Sequence, residues 1–169
     1  MNIFYLSDCP VEAARSQCDK HVVKMILESA QMLCTAHHAC STEAQRPEKF
    51  YKQAHLNHPS TIWVRTTTAN YEWMCIHALA LCEEYTHRYG KIHASQAIIE
   101  WCADNIPEIP DDIMTKMPQC MPDEYKDECS ITAYRHFYNV DKRKSFKCVW
   151  TNRQEPRWWR NHEANTMVS

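Results

Sequence analysis

The sequence predicts an all-α fold, a single-domain helical bundle over residues 1–169, and three observations carry that prediction. The 169 residues include one glycine, Gly90, so hairpin-rich β architectures, which need several positions at positive φ, are excluded. Apolar residues recur at helical spacing over long stretches. Length and a hydrophobic content of 44% suit one core rather than two. The scarcity of glycine also excludes phosphate-cradling glycine loops and dinucleotide-binding fingerprints.

Each element has its own signal. Residues Asn2 to Leu6 read as a short apolar extended arm, closed by Cys9-Pro10. From Val11 to Cys40 the pattern is helical, with a possible break near Asp19; Val22, Val23, Ile26, Ala30, Leu33 and Cys34 make its apolar face. Arg46-Pro47 marks a loop, and a short helix is expected through Phe50 and Tyr51. His58-Pro59-Ser60 reads as a helix start running uninterrupted to Tyr89, with Gly90 as its cap. Trp63, Trp73, Met74, Ile76, Leu79, Leu81 and Tyr85 surround that helix, which makes it the central, buried one; Arg65, Glu72 and Glu83 among them need partners if buried. A further helix is expected over Ile92 to Cys102, an irregular proline-rich connection over Pro107 to Pro122, and a last helix over Asp123 to Val140 with Tyr125, Ile131, Tyr134, Phe137 and Tyr138 in the core.

The tail, residues 142–169, differs in composition. Lys142, Arg143, Lys144, Lys147, Arg153, Arg157 and Arg160 face only Glu155 among the acids up to Arg160, in a chain whose formal charge is −2. Phe146, Trp150, Trp158 and Trp159 are interleaved with those cations. This suits phosphate neutralisation with base stacking, and equally suits an arm whose indoles dock on the core. No apolar run approaches the roughly 20 residues that span a bilayer, and the N-terminus lacks signal-peptide order. The expectation is a soluble, cytoplasmic protein without membrane contact.

Ten cysteines without a Cys-x-x-Cys pair favour reduced, core-packed thiols over disulfides or zinc. His55/His58 and His37/His38 with Cys40 carry the right donors for zinc, but at spacings that match no familiar finger. The expectation is no metal and no cofactor. On the first long helix His21, Lys24, Glu28, Gln31 and Thr35 form a polar stripe. Glu28 lies two turns beyond His21, so the two can serve one bound group, with Glu28 in an acid/base role; a solvated face with a Lys24/Glu28 pair is the plainer alternative. Arg65, beyond His58, can meet a phosphate or pair with Glu28 or Glu72.

These residues together resemble the phage-type pyrimidine-dimer DNA glycosylases, the endonuclease V group. The similarity rests on the short arm, the segment HVVKMILE with His21 and Glu28, the stretches HPSTIWVR and YEWMCIHALALCEEYTHRYGK, and the terminal PRWWR. The chain is also similar to short tailed-phage proteins that open with an arm and a CDKHVVKMILE-like helix. The glycosylase resemblance implies a metal-free, bifunctional reaction on double-stranded DNA. An N-terminal amine attacks C1′ of a damaged pyrimidine nucleotide, the base leaves, and the imine allows strand cleavage. It implies Met1, Glu28 and His21 as catalytic residues, with His21 orienting Glu28. Asn2, Lys24, Gln31, His58, Arg65, Arg153, Arg157, Trp158 and Trp159 become the substrate-binding set. In that family an arginine precedes the glutamate and another follows three residues later; here Leu27 and Gln31 stand there, and Lys24 supplies part of the charge. Asn2 is bulky for methionine removal, which leaves the amine on Met1. A non-catalytic nucleotide- or protein-binding module and a zinc-supported base-modifying enzyme are the alternatives.

Overall fold

In the computed structural model, which describes residues 1–168 and side chains as far as His162, helices carry the fold and no strand occurs among the described residues. Ser169 of the expected tail lies outside the described residues. The first helical stretch breaks where Asp19 suggested, into α1 (Pro10–Arg15) and α2 (Asp19–Ala39). Pro10 opens α1 at a position where its missing N–H costs nothing. Along α2 the residues Val22, Met25, Ile26, Ala30, Leu33 and Cys34 are buried, whereas Val23, expected on that face, is 39% exposed.

The expected uninterrupted helix from His58 is two helices, α3 (Pro59–Val64) and α4 (Thr68–Tyr89). Threonine chemistry makes the break. The Thr66 hydroxyl donates to the Ile62 carbonyl (2.7 Å), and Thr67 caps α4 by accepting from Asn70 N–H at 3.1 Å. Asn70 locks the corner by donating to the Trp63 carbonyl at 2.9 Å. Gly90, at φ +66°, ends α4 in the left-handed conformation that glycine adopts without strain. α4 is the central helix and packs on α1, α2 and on α5 (Gln96–Asp104). Its Trp73, Met74 and Leu81 are buried, but Ile76 is 49% exposed. Glu72 and Glu83 face solvent; the buried charges are Glu84 and Arg88 instead.

Three further expectations change. Phe50 closes a turn and Tyr51 follows it in irregular chain rather than in a helix: Phe50 N–H bonds the Pro47 carbonyl, and the two rings are drawn to His37, Trp101 and Ser95. α5 begins four residues later than expected, with Ile92 75% exposed outside it. The helix expected over Asp123 to Val140 is a 3₁₀ turn (Asp123–Tyr125), then α6 (Ser130–Phe137), then a π-helical turn (Tyr138–Lys142) running into α7 (Arg143–Ser145). Tyr125, Tyr134, Phe137 and Tyr138 reach the core as expected, while Ile131 is half-buried.

The tail folds back and forms α8 (Arg157–Val168). Trp150 and Trp159 are buried with ring centroids 5.0 Å apart, and the Arg143 guanidinium lies 3.5 Å from the Trp159 ring centroid. Trp150 donates to the Ser16 carbonyl (3.0 Å), and Arg153 grips the carboxylate of Glu84 through two bonds of 2.7 and 2.9 Å. Arg88 joins Glu84 to Asp19 in the same buried network. Desolvation at that buried position costs the Glu84 charge; Arg153 and Arg88 more than offset it and hold the carboxyl below its ordinary range. No described helix is long and apolar enough to cross a membrane.

Candidate active site

The arm ends where α2 turns its polar stripe outward. Ile3, Phe4 and Leu6 bury their side chains, which fixes the path of the backbone and delivers the first residue to the middle of α2. There the Met1 amine lies 3.8 Å from Glu28 Oε2, and Asn2 N–H donates to the same oxygen at 3.1 Å. Lys24 Nζ stands 3.8 Å from Oε1, so both carboxylate oxygens face cationic or donor groups. The Glu28 side chain is 14% exposed and that of Met1 2%, so the pair is largely shielded from water.

His58 lies near enough to feel both charges of this pair. Its Nδ1 accepts from Ser60 N–H at 3.1 Å, fixing the ring at the start of α3. Burial lowers its pKa, the positive charges of the amine and of His55 lower it further, and Glu28 opposes them. Ser60 and Cys120 touch through Oγ and Sγ at 3.3 Å, and the Cys120 carbonyl accepts from the Asn2 side chain at 3.0 Å. Gln31 is half-buried one turn beyond Glu28, and Thr35 exchanges two bonds with the backbone of Ala54, pinning the loop before His58 against the stripe.

The structure does not bring every expected residue here. His21 stacks on Phe4 (4.3 Å between centroids, 13° between planes) and bonds the Tyr138 hydroxyl through Nδ1, so it supports the arm from below rather than orienting Glu28. Arg65 donates through Nη2 to the Leu56 carbonyl at 2.8 Å, while its Nη1 is buried without a hydrogen-bond partner. Arg153 is engaged by Glu84, Trp159 is in the core, and Trp158 packs beside Tyr138 and Arg135. Of the expected tail contacts only Arg157 is exposed. Leu27 is 40% exposed beside Glu28.

The His and Cys donors weighed for zinc diverge. His37 is buried between Thr42 and Tyr71, whereas His38 turns to the Tyr51 carbonyl and Arg46. Among the described residues no group of three or more His, Cys, Asp and Glu converges on a point. The sequence reading missed Cys120 and the role of Tyr134, whose hydroxyl lies 2.9 Å from Asn2 Oδ1. Tyr134 carried only a core signal, and Cys120 sits in the proline-rich connection without any signal.

Fold and site together define a small helical protein that holds a primary amine beside a carboxylate. The family model for pyrimidine dimer DNA glycosylase matches residues 1–97, from the arm through α4 to the start of α5. The chain belongs to that family of DNA-repair glycosylases, whose substrate is DNA. No curated protein and no solved structure matches it.

Proposed function

We propose that the protein is a DNA glycosylase with strand-cleaving lyase activity, acting on a damaged pyrimidine in double-stranded DNA. The observation that carries this reading is the Met1 amine 3.8 Å from Glu28 Oε2. The neutral amine attacks C1′ of the damaged nucleotide; the N–C1′ bond forms as the bond from C1′ to the base breaks, and the base leaves with that electron pair. Ring opening gives an imine between Met1 and the sugar. Glu28 takes the proton lost by the amine and returns it to O4′ as the C1′–O4′ bond breaks; the carboxylate so regenerated holds the positive charge of the protonated imine and accepts a C2′ proton. Electrons from that C–H bond expel the 3′ oxygen with its phosphate, cutting the strand; water then releases the amine.

Lys24 is the exposed cation beside Glu28 and meets phosphate, with Gln31 and His58 as neighbours toward the sugar. Arg65 holds the Leu56 carbonyl, in the loop before His58, and takes no phosphate. Arg157 is one of the exposed tail cations and makes a second phosphate contact. The target nucleotide, or its partner base, leaves the stack to bring C1′ to the amine.

Borohydride trapping tests the reading. A duplex with a cyclobutane pyrimidine dimer or an abasic site is incubated with protein and sodium borohydride. A covalent adduct mapping to Met1 is expected, lost on acetylation of the amine and reduced at least 100-fold in Glu28→Gln, within the usual range for losing an acid/base group. Binding without any adduct overturns the reading.

A further inference from the structure

The amine and Glu28 account for the chemistry, and the Met1 side chain packs against the core; the backbone that aims the amine is held at the next residue. Asn2 was expected to contact substrate, yet its side chain is committed to the protein. Its Oδ1 accepts from Ile3 N–H at 2.8 Å and lies 2.9 Å from the Tyr134 hydroxyl, and its Nδ2 donates to the Cys120 carbonyl at 3.0 Å. Its backbone N–H meets Glu28 at 3.1 Å. One residue therefore ties the catalytic carboxylate of α2 to the connection before α6.

The far side of that tie is rigid. Tyr134 is fully buried; its hydroxyl lies 2.8 Å from the Pro118 carbonyl oxygen and accepts from Cys120 N–H at 3.2 Å. Burial pushes the phenol pKa well up, so it stays a proton donor at any physiological pH. Cys120 is fixed again by Ser60 at the start of α3, next to His58. The arm, α2, α3 and the segment 118–134 meet at Asn2, and the last of these lies beyond the residues 1–97 that the family model matches.

We propose that Asn2 is a positioning residue, clamped by Tyr134 and the Cys120 carbonyl, that holds the Met1 amine over Glu28, so that segment 118–134 completes a site begun by residues 1–28. This rests on the amine and Glu28 reading above. A clamp of this kind matters because the reacting atoms must meet within a fraction of an ångström, while an arm free to shift by one residue moves its end by about 3.5 Å.

The test uses the full chain with Tyr134→Phe and Asn2→Gln, each checked by intact mass for retained Met1. The DNA-free readout is the rate at which an active ester acylates the α-amine, followed in the N-terminal peptide. The DNA readouts are the single-turnover trapping rate on an abasic duplex and the duplex Kd. The clamp predicts acylation about tenfold faster and trapping about tenfold slower in both variants, the size expected for one lost buried hydrogen bond, with Kd within about twofold. Unchanged acylation overturns the clamp. Loss of binding in step with trapping also overturns it, because Asn2 would then be touching DNA. If the wild-type protein traps nothing, the glycosylase reading fails while acylation still decides the clamp. If Tyr134→Phe does not fold, Asn2→Gln, which leaves the core intact, decides alone.

Discussion

Replacing Trp159 by alanine separates the two uses the tail could have. The side chain is 5% exposed, its ring packs 5.0 Å from Trp150 and 6.3 Å from Tyr138, and the Arg143 guanidinium covers it at 3.5 Å. Emptying such a site costs about 3–5 kcal/mol in transfer and cavity terms together. In a chain of this length each kcal/mol moves Tm by about 2–4 °C, so a fall of roughly 6–20 °C is expected in scanning calorimetry. The companion variant Arg157→Ala removes an exposed cation and leaves stability within about 0.5 kcal/mol. If Arg157 neutralises one phosphate, the slope of log K against log salt falls by about 0.9 in that variant and stays unchanged in Trp159→Ala, measured below its Tm. Trp159→Ala with an unchanged Tm and abolished DNA binding would refute the assignment of this indole to the core.

Four shorter predictions follow from the same geometry. Glu84 has a folded pKa held below its unfolded value, so its contribution to stability is present above about pH 4.3 and is lost as pH falls through the lower folded value; Glu84→Gln should destabilise the protein at pH 7 by about 3 kcal/mol and flatten that acid limb in urea titrations. His37 and His77 are buried with pKa values pushed down to about 4, chiefly by burial. Protons taken up on unfolding then destabilise the fold as pH drops from about 6.5 toward 4, by up to about 3 kcal/mol for each ring, and His77→Gln should reduce that slope. Leu27→Arg places a cation on an exposed position beside Glu28 and should raise duplex affinity about fivefold at low salt, an advantage that disappears at high salt in fluorescence anisotropy. His58→Gln removes a ring that feels the charges of the amine and Glu28, and should slow trapping while leaving Tm within about 2 °C, read by single-turnover trapping and scanning calorimetry.

What was legible in the sequence follows the range of the interactions involved. Helices with a sustained apolar face, and the cap at Gly90, are local and were readable. The break between α3 and α4 was written in Thr66, Thr67 and Thr68, residues that favour capping over helix interiors, but the long apolar pattern on either side masked it. The tail was ambiguous because cations interleaved with indoles serve a phosphate surface and a docked arm alike. The deciding contact, Arg153 with Glu84, joins residues 69 apart and leaves no local trace. At the site, Glu28 and Lys24 share a helix face and were readable as such, while His21 was placed with them by the same periodicity although its ring turns toward Phe4 and Tyr138. Angular position on a helix says which sector a side chain leaves from, not which neighbour it reaches.

The arm shows how the fold and the chemistry constrain each other. Ordering its first six residues costs about 6–12 kcal/mol in backbone entropy. Burial of Ile3, Phe4 and Leu6 returns about 5–9 kcal/mol. The bonds from Asn2 N–H to Glu28, from the Asn2 side chain to the Cys120 carbonyl, from the Tyr134 hydroxyl to Asn2 Oδ1 and from Arg135 to the Leu6 carbonyl add about 2–6 kcal/mol. Neither group alone clearly exceeds the cost, so the arm is ordered only when apolar anchoring and polar clamping act together. The apolar anchors and the Arg135 bond fix residues 3 to 6 and the Met1 side chain packs on the core, whereas the contacts of Asn2 fix the backbone that carries the amine. A substitution at Phe4 should therefore unseat the whole arm and lower stability and trapping together. One at Asn2 should loosen only the end that carries the amine.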